Sequence, residues 1–206
     1  LRRKFKRIRL SKVKLAQSFY QRQNVVLIAK ELIGKVLVTS VNGLLTSGVI
    51  VETEAYSYQE RGCHAYRGIT ERNKVMFEPG GVAYVYLCYG IHQMMNVVTN
   101  KEKRAEAVLI RALEPLEGLD VMRHRMSVKT EKRITSGPGK LTKALGIDRN
   151  QNGQSLGGSE IWIENRNIKV PKGRIMASPR IGIDYAGEDA KLPWRFTFSE
   201  SEWMSK

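Results

Sequence analysis

The dipeptide Asn42-Gly43 does most to limit what this chain can become. It is flanked by two β-branched-rich runs, Lys35 to Ser40 and Leu44 to Thr53. Asn-Gly between such runs is the strongest short hairpin signal, because both turn residues must adopt positive φ. The same arrangement returns at Tyr89-Gly90, between Val82 to Cys88 and Ile91 to Thr99. Glu106 to Leu113 reads as another strand, and further strands are expected at Glu160 to Glu164, Arg180 to Ile183 and Arg195 to Ser199. Asn24 to Gly34 predicts a short helix, with Asn24 as N-cap, apolar residues on one broad face and a glycine to end it. A second helix is expected over Glu117 to Met126, introduced by Glu114-Pro115, and a Gly-, Asn- and Ser-rich loop at Asp148 to Ser159. There is no internal repeat. Strands that arrive as hairpins with helices between them make an α+β pattern on a largely antiparallel sheet.

With 206 residues, 42% of them hydrophobic and 27% charged, the chain can bury a core as one domain. No apolar run approaches the roughly 20 residues a membrane span needs, and no h-region follows the basic N-terminus. The expected protein is neither membrane-bound nor secreted: nuclear in a eukaryote, cytoplasmic or nucleoid-associated in a bacterium. Leu1 in place of an initiator Met reads as a truncated or processed chain. Cys63 and Cys88 form no Cys-x-x-Cys, which predicts a reducing compartment and no disulfide framework. His64, His92 and His124 lie too far apart for a zincin or zinc-deaminase signature, so no metal is expected.

The net charge is +15, and it is concentrated. Residues 1–14 hold eight cations and no acid, so this segment is expected to be a flexible basic arm ahead of a domain over 15–206. Residues 123–149 add eight cations against Glu131 and Asp148. Two basic segments on a near-neutral background are the footprint of a polyanion binder; solubility and a localisation signal are the competing explanations.

Three segments could carry chemistry. In Val51-Glu-Thr-Glu-Ala-Tyr56, strand alternation puts Glu52, Glu54 and Tyr56 on one side, as a pocket wall with a general base or as a solvated outer face. In Val82 to Gly90, Tyr84 and Tyr86 share a face, available for core packing or for stacking on an extracted base. Tyr89 falls in the turn with Gly90, where a large aromatic is a candidate wedge between base steps. Ser136-Gly-Pro-Gly-Lys-Leu opens a helix with a glycine-rich turn beside Lys140, as a phosphate cradle or an ordinary cap. Leu141 after Lys140 excludes a Walker A loop.

Val-Glu-Thr-Glu-Ala-Tyr, Tyr-Val-Tyr-x-x-Tyr-Gly, Arg-Ala-Leu-Glu-Pro-Leu-Glu-Gly-Leu and Ser-Gly-Pro-x-Lys-Leu occur here in that order. Together they resemble the alkyladenine (3-methyladenine) DNA glycosylase family, from about Leu15 to Trp203. The resemblance implies a compact single domain whose curved, mainly antiparallel sheet is flanked by helices and carries a protruding, DNA-intercalating β-hairpin. It implies a monomeric, cofactor-free base excision repair enzyme acting on double-stranded DNA with damaged purines such as 3-methyladenine, 7-methylguanine, ethenoadenine and hypoxanthine. Tyr89, beside Gly90, would enter the minor groove, and Tyr56 and Tyr86 would sandwich the flipped base while His64 bonds its edge. Asn96 would bar the 2-amino group of guanine. Glu54 would activate a water, helped by Arg111 and the main-chain carbonyl of Ile181, and leave an abasic site. The chain departs from vertebrate members at His92 and Tyr185. A non-catalytic nucleic-acid-binding protein and a lyase working through a lysine are the alternatives.

Overall fold

The structure is a computed structural model that describes residues 12–171 and 173–205. Nine strands form one antiparallel sheet: β1 (Val13–Lys14), β2 (Val36–Val41), β3 (Leu44–Ser57), β4 (Ala83–Cys88), β5 (His92–Thr99), β6 (Glu106–Glu117), β7 (Ile161–Asn165), β8 (Ile175–Ser178) and β9 (Arg195–Phe198). Among the described residues four α-helices accompany them: α1 (Gln17–Tyr20), α2 (Val25–Leu32), α3 (Leu119–Met126) and α4 (Pro138–Leu145). The order across the sheet is β1-β7-β2-β3-β6-β5-β4, and β9 joins β3 to β8. This is the expected α+β architecture, a single domain with a curled antiparallel sheet.

The turn signals act as their residues require. Asn42 and Gly43 have φ of 53° and 75°, and β2 pairs with β3 from Val36↔Val49 to Val41↔Leu44. In α2, the Asn24 side chain accepts from the Leu27 N–H, and Val25, Ile28, Ala29 and Leu32 are buried at the spacing of one helical face. That face lies against β3, where Thr53 Oγ1 donates to the Ala29 carbonyl at 2.8 Å.

β3 is the spine of the fold. Its first half pairs with β2 and its second with β9, while β6 runs along its other side. The β3–β6 register slips between Ile50 and Thr53: Glu52 pairs with Ala112 and Thr53 with Ile110, which leaves Arg111 as the extra residue of β6. Such a bulge re-aims a side chain. Here it delivers Arg111 to Glu52 and Glu54.

Two expectations are corrected. Glu114-Pro115 does not introduce a helix; both stay in β6, Pro115 opposite Gly48, and α3 starts after Gly118. Proline is tolerated there because β5 pairs with β6 only over Glu106–Leu109, so the missing N–H costs no β5 ladder bond. Arg180 to Ile183 is not a strand, since β8 lies upstream at Ile175–Ser178. Arg180 turns inward to a buried acid, and Gly182 takes φ 75°, both incompatible with regular pairing.

The basic arm as a flexible segment falls mostly on residues 1–11, outside the described residues. At its end, Val13 and Lys14 pair with β7, and Lys12 binds Glu117 at 3.1 Å.

Candidate active site

Glu52, Glu54, Arg111 and Ile181 converge because β3, β6 and the segment after β8 meet at one place. Glu52 and Glu54, which alternation places on one side, are both fully buried rather than solvated. Glu54 Oε2 accepts from the Tyr56 hydroxyl at 2.8 Å and from Arg111 Nη1 at 3.1 Å, and Oε1 accepts from the Ile181 N–H at 2.8 Å. Every partner donates, the arrangement that suits an anion. The main-chain group of Ile181 that meets Glu54 is therefore its N–H, whereas the resemblance assigns a role to its carbonyl.

Arg111 is shared between two carboxylates. Its Nε donates to Glu52 Oε1 at 3.0 Å, and Glu52 also accepts from the Ser205 N–H at 2.6 Å and the Ser205 hydroxyl at 2.7 Å. Burial opposes the Arg111 charge, but Glu54 and Glu52 outweigh it and hold the guanidinium above its ordinary value. Burial and the adjacent Glu54 push the Tyr56 hydroxyl well above the phenol range, so it stays protonated and donating.

In front of this cluster lies a cavity of about 380 Å³, whose wall includes Tyr56, Arg111 and Ile181, the partners of Glu54, together with His64, Tyr86 and Asn96. The structure thus gathers Tyr56, His64, Tyr86, Asn96, Arg111 and Ile181 around one space, with Glu54 directly behind the wall. A cavity of this size lies within the ordinary small-ligand range.

His64 Nδ1 pairs with the Tyr84 hydroxyl at 3.0 Å and its ring meets Tyr86 edge-on, centroids 4.6 Å apart. Burial, and then the Arg72 charge, pull its pKa down to about 4, so the ring is neutral at physiological pH. Burial pushes the Tyr84 hydroxyl up to about 12. Asn96, opposite Tyr84 across the β4–β5 pair, is buried and donates to the Tyr84 carbonyl at 3.2 Å.

Beyond the cavity, β4 and β5 are joined through Tyr89, Gly90 and Ile91, and Tyr89 is 85% exposed with φ 49°. Gly90 follows at φ 72°. Tyr89 also reaches the cavity rim. Lys140 stands apart: α4 touches the cavity through Pro138, and Lys140 faces solvent. Part of the 123–149 basic cluster serves internal contacts, since Arg123 binds Glu131 and Asp120, and Arg133 donates to the Met204 carbonyl.

Three participants are missed by reasoning on sequence. Ser205 lies 153 positions from Glu52, and no local pattern announces that contact. Arg180 makes a bidentate pair with buried Glu60 at 2.6 and 2.8 Å and lies 4.7 Å from the Tyr56 ring centroid. Arg72 lies over Tyr86 at 5.2 Å. For Arg180 the available signal was an arginine directly before Ile181 in an otherwise apolar run. Among the described residues no group of three or more His, Cys, Asp or Glu could hold a metal ion.

Relatives place this arrangement in context. A "Putative 3-methyladenine DNA glycosylase" of Carboxydothermus hydrogenoformans is 47% identical over 192 residues, covering 93% of this chain and 98% of its own. Proteins of the same name from Chlamydia felis and Clostridium acetobutylicum are 46% and 44% identical, over 88% and 94% of this chain and 94% and 98% of theirs. The family described as methylpurine-DNA glycosylase matches residues 18–202, a span that takes in Glu54, the cavity wall and the Tyr89 turn. The chain belongs to the methylpurine-DNA glycosylase family.

Proposed function

We propose that this chain is a monofunctional DNA glycosylase that flips a damaged purine out of duplex DNA into the 380 Å³ cavity and hydrolyses its N-glycosidic bond. The observation that carries the reading is the position of Glu54, a buried carboxylate immediately behind the wall formed by Tyr56, Arg111 and Ile181. Glycosidic cleavage passes through an oxocarbenium-like sugar, which needs an anion beside it and a base for the attacking water. Glu54 supplies both once a water replaces one of its donors. Arg111 and the Ile181 backbone orient it, the carbonyl of Ile181 sharing the water.

Tyr89, presented with Gly90 at an exposed turn, enters the minor groove and takes the place of the departing base. Flipping costs a few kcal/mol, and each stacked aromatic returns about 1–3 kcal/mol, so Tyr56 and Tyr86 together offset it. His64 keeps Nε2 for the base edge because Nδ1 is engaged by Tyr84. Asn96 bars the 2-amino group of normal guanine. Lys140 at the start of α4 and the basic N-terminal segment hold the phosphate backbone. Among the described residues no lysine lines the cavity, which supports hydrolysis by water over a Schiff-base lyase.

The reaction is tested by base release from duplexes carrying one hypoxanthine, ethenoadenine or 3-methyladenine, in EDTA, for this chain and Glu54→Gln. The expected result is free base and alkali-labile abasic sites from the parent, falling at least 100-fold in the variant while duplex binding persists. Tight binding without release from any lesion would leave a nucleic-acid-binding protein.

A further inference from the structure

The two tyrosines that enclose the base are each already faced by a guanidinium. Arg180 lies 4.7 Å from the Tyr56 centroid and Arg72 lies 5.2 Å from that of Tyr86. The two cations are held very differently. Arg180 is buried and locked in its bidentate pair with Glu60. Arg72 is exposed, and its hydrogen bond to the Leu87 carbonyl is long, at 3.4 Å. Its acidic neighbour Glu71 is taken by Lys74 at 2.9 Å.

The backbone beneath Arg72 is nonetheless fixed. Asn73 is buried and donates to the carbonyls of His64 and Gly68 at 2.8 and 2.9 Å. The guanidinium can therefore leave the Tyr86 face, yet its tether keeps the charge at the cavity rim. Among the described residues the cavity lining includes Arg72 and Arg111 but no Asp or Glu, because Glu54 is sealed behind Tyr56, Arg111 and Ile181. An entering base thus meets the exposed Arg72 at the rim before it approaches the Arg111 charge that Glu52 and Glu54 already pair.

Damaged purines are of two electrostatic kinds. Alkylation at N3 or N7 gives the ring a formal positive charge, whereas deaminated and etheno bases are neutral. An electron-rich ring attracts a cation, but on Tyr86 a cationic base competes with a cation already there. We propose that Arg72 is a specificity-determining residue: an exchangeable cation that occupies the base's place on Tyr86 and biases the cavity toward neutral damaged purines over cationic ones. The assignment rests on the glycosylase reading above. For two unit charges about 6 Å apart at a hydrated rim, the bias is about fivefold to tenfold.

The test is single-turnover excision, enzyme in saturating excess, from duplexes containing 7-methylguanine or hypoxanthine at pH 8, where His64 is neutral whether or not Arg72 is present. Arg72→Gln is expected to raise the ratio of 7-methylguanine to hypoxanthine release about fivefold to tenfold, and Arg72→Lys to keep the parent ratio within about twofold. An unchanged ratio with weaker binding of both duplexes would make Arg72 a phosphate contact and overturn the assignment, as would a shift toward hypoxanthine. If the parent releases both bases and the ratio stays fixed, only the role of Arg72 falls. If it releases neither, the glycosylase reading falls and takes this proposal with it.

Discussion

Glu52 touches no part of the cavity, yet it accepts from Arg111 and twice from Ser205, and so fixes the cation that Glu54 depends on. Glu52→Gln keeps the shape and removes the charge. Single-turnover excision is expected to slow by about 10- to 100-fold with duplex affinity preserved, since the Arg111, Ser205 and Arg195 contacts behind the cavity are disturbed while its lining is kept; equal losses in both would argue for a general folding role. The Arg180–Glu60 pair is another buried ionic contact beside the site. Removing one partner leaves a buried charge, so Arg180→Met is expected to lower unfolding free energy in urea by about 3–5 kcal/mol. His64 provides a pH signature. Its folded pKa of about 4 lies below the ordinary histidine value of 6.5, so the unfolded chain binds the extra proton first. Its contribution is complete above pH 6.5 and is lost as pH falls toward 4, and His64→Gln should flatten that part of the stability profile.

Among the strands and helices, turn chemistry was legible because it is local. Asn42-Gly43 and the Gly137-Pro138 entry to α4 appear where their backbone preferences put them, and Gly90 does the same in its turn, whereas Tyr89 is held at φ 49° against its own preference. Helix starts and strand ends were less legible. Gly118 sits at φ 77°, and a Cβ on it would lie 2.3 Å from the Leu45 carbonyl, a clash that belongs to the packing of β6 against β3 and is invisible in sequence. Gly118→Ala is expected to destabilise by more than the roughly 1 kcal/mol of a strained φ alone, whereas Gly90→Ala, with open space around it, should cost about that much; thermal melts separate the two. The hairpin's role is tested with Tyr89→Ala, expected to weaken binding to lesion duplex by about 10-fold with the fold intact.

The molecule as a whole carries its charge unevenly, and the structure sorts which cations are free to meet a polyanion. Lys12 and Lys14 fasten the chain to Glu117 and to the carbonyls of Gly157 and Gly158, and Arg123 is held by Asp120 and Glu131. The sequence places six more cations between Arg2 and Arg9, outside the described residues. Each phosphate that a cation ceases to neutralise lowers the slope of log affinity against log salt by about 0.9. Removing residues 1–11 is expected to shallow that slope by several units and leave excision at saturation unchanged. An unaltered slope would show that the arm does not meet DNA.

Local sequence was enough to dictate the strand and turn grammar of the antiparallel sheet, the alternation that puts Glu52, Glu54 and Tyr56 on one face, and the exposed tyrosine at a tight turn. These follow from φ preferences and a period of two, which act over a few residues. Packing in three dimensions was needed to make the shared face of Glu52 and Glu54 interior, to aim Arg111 at both through a slip in the β3–β6 register, and to close the cluster with Ser205 and Ile181. It also settled which arginines are buried in ion pairs, as Arg180 is, and which lie exposed, as Arg72 does. Those outcomes depend on desolvation and on contacts between residues up to 153 positions apart, and a local pattern carries no information about either.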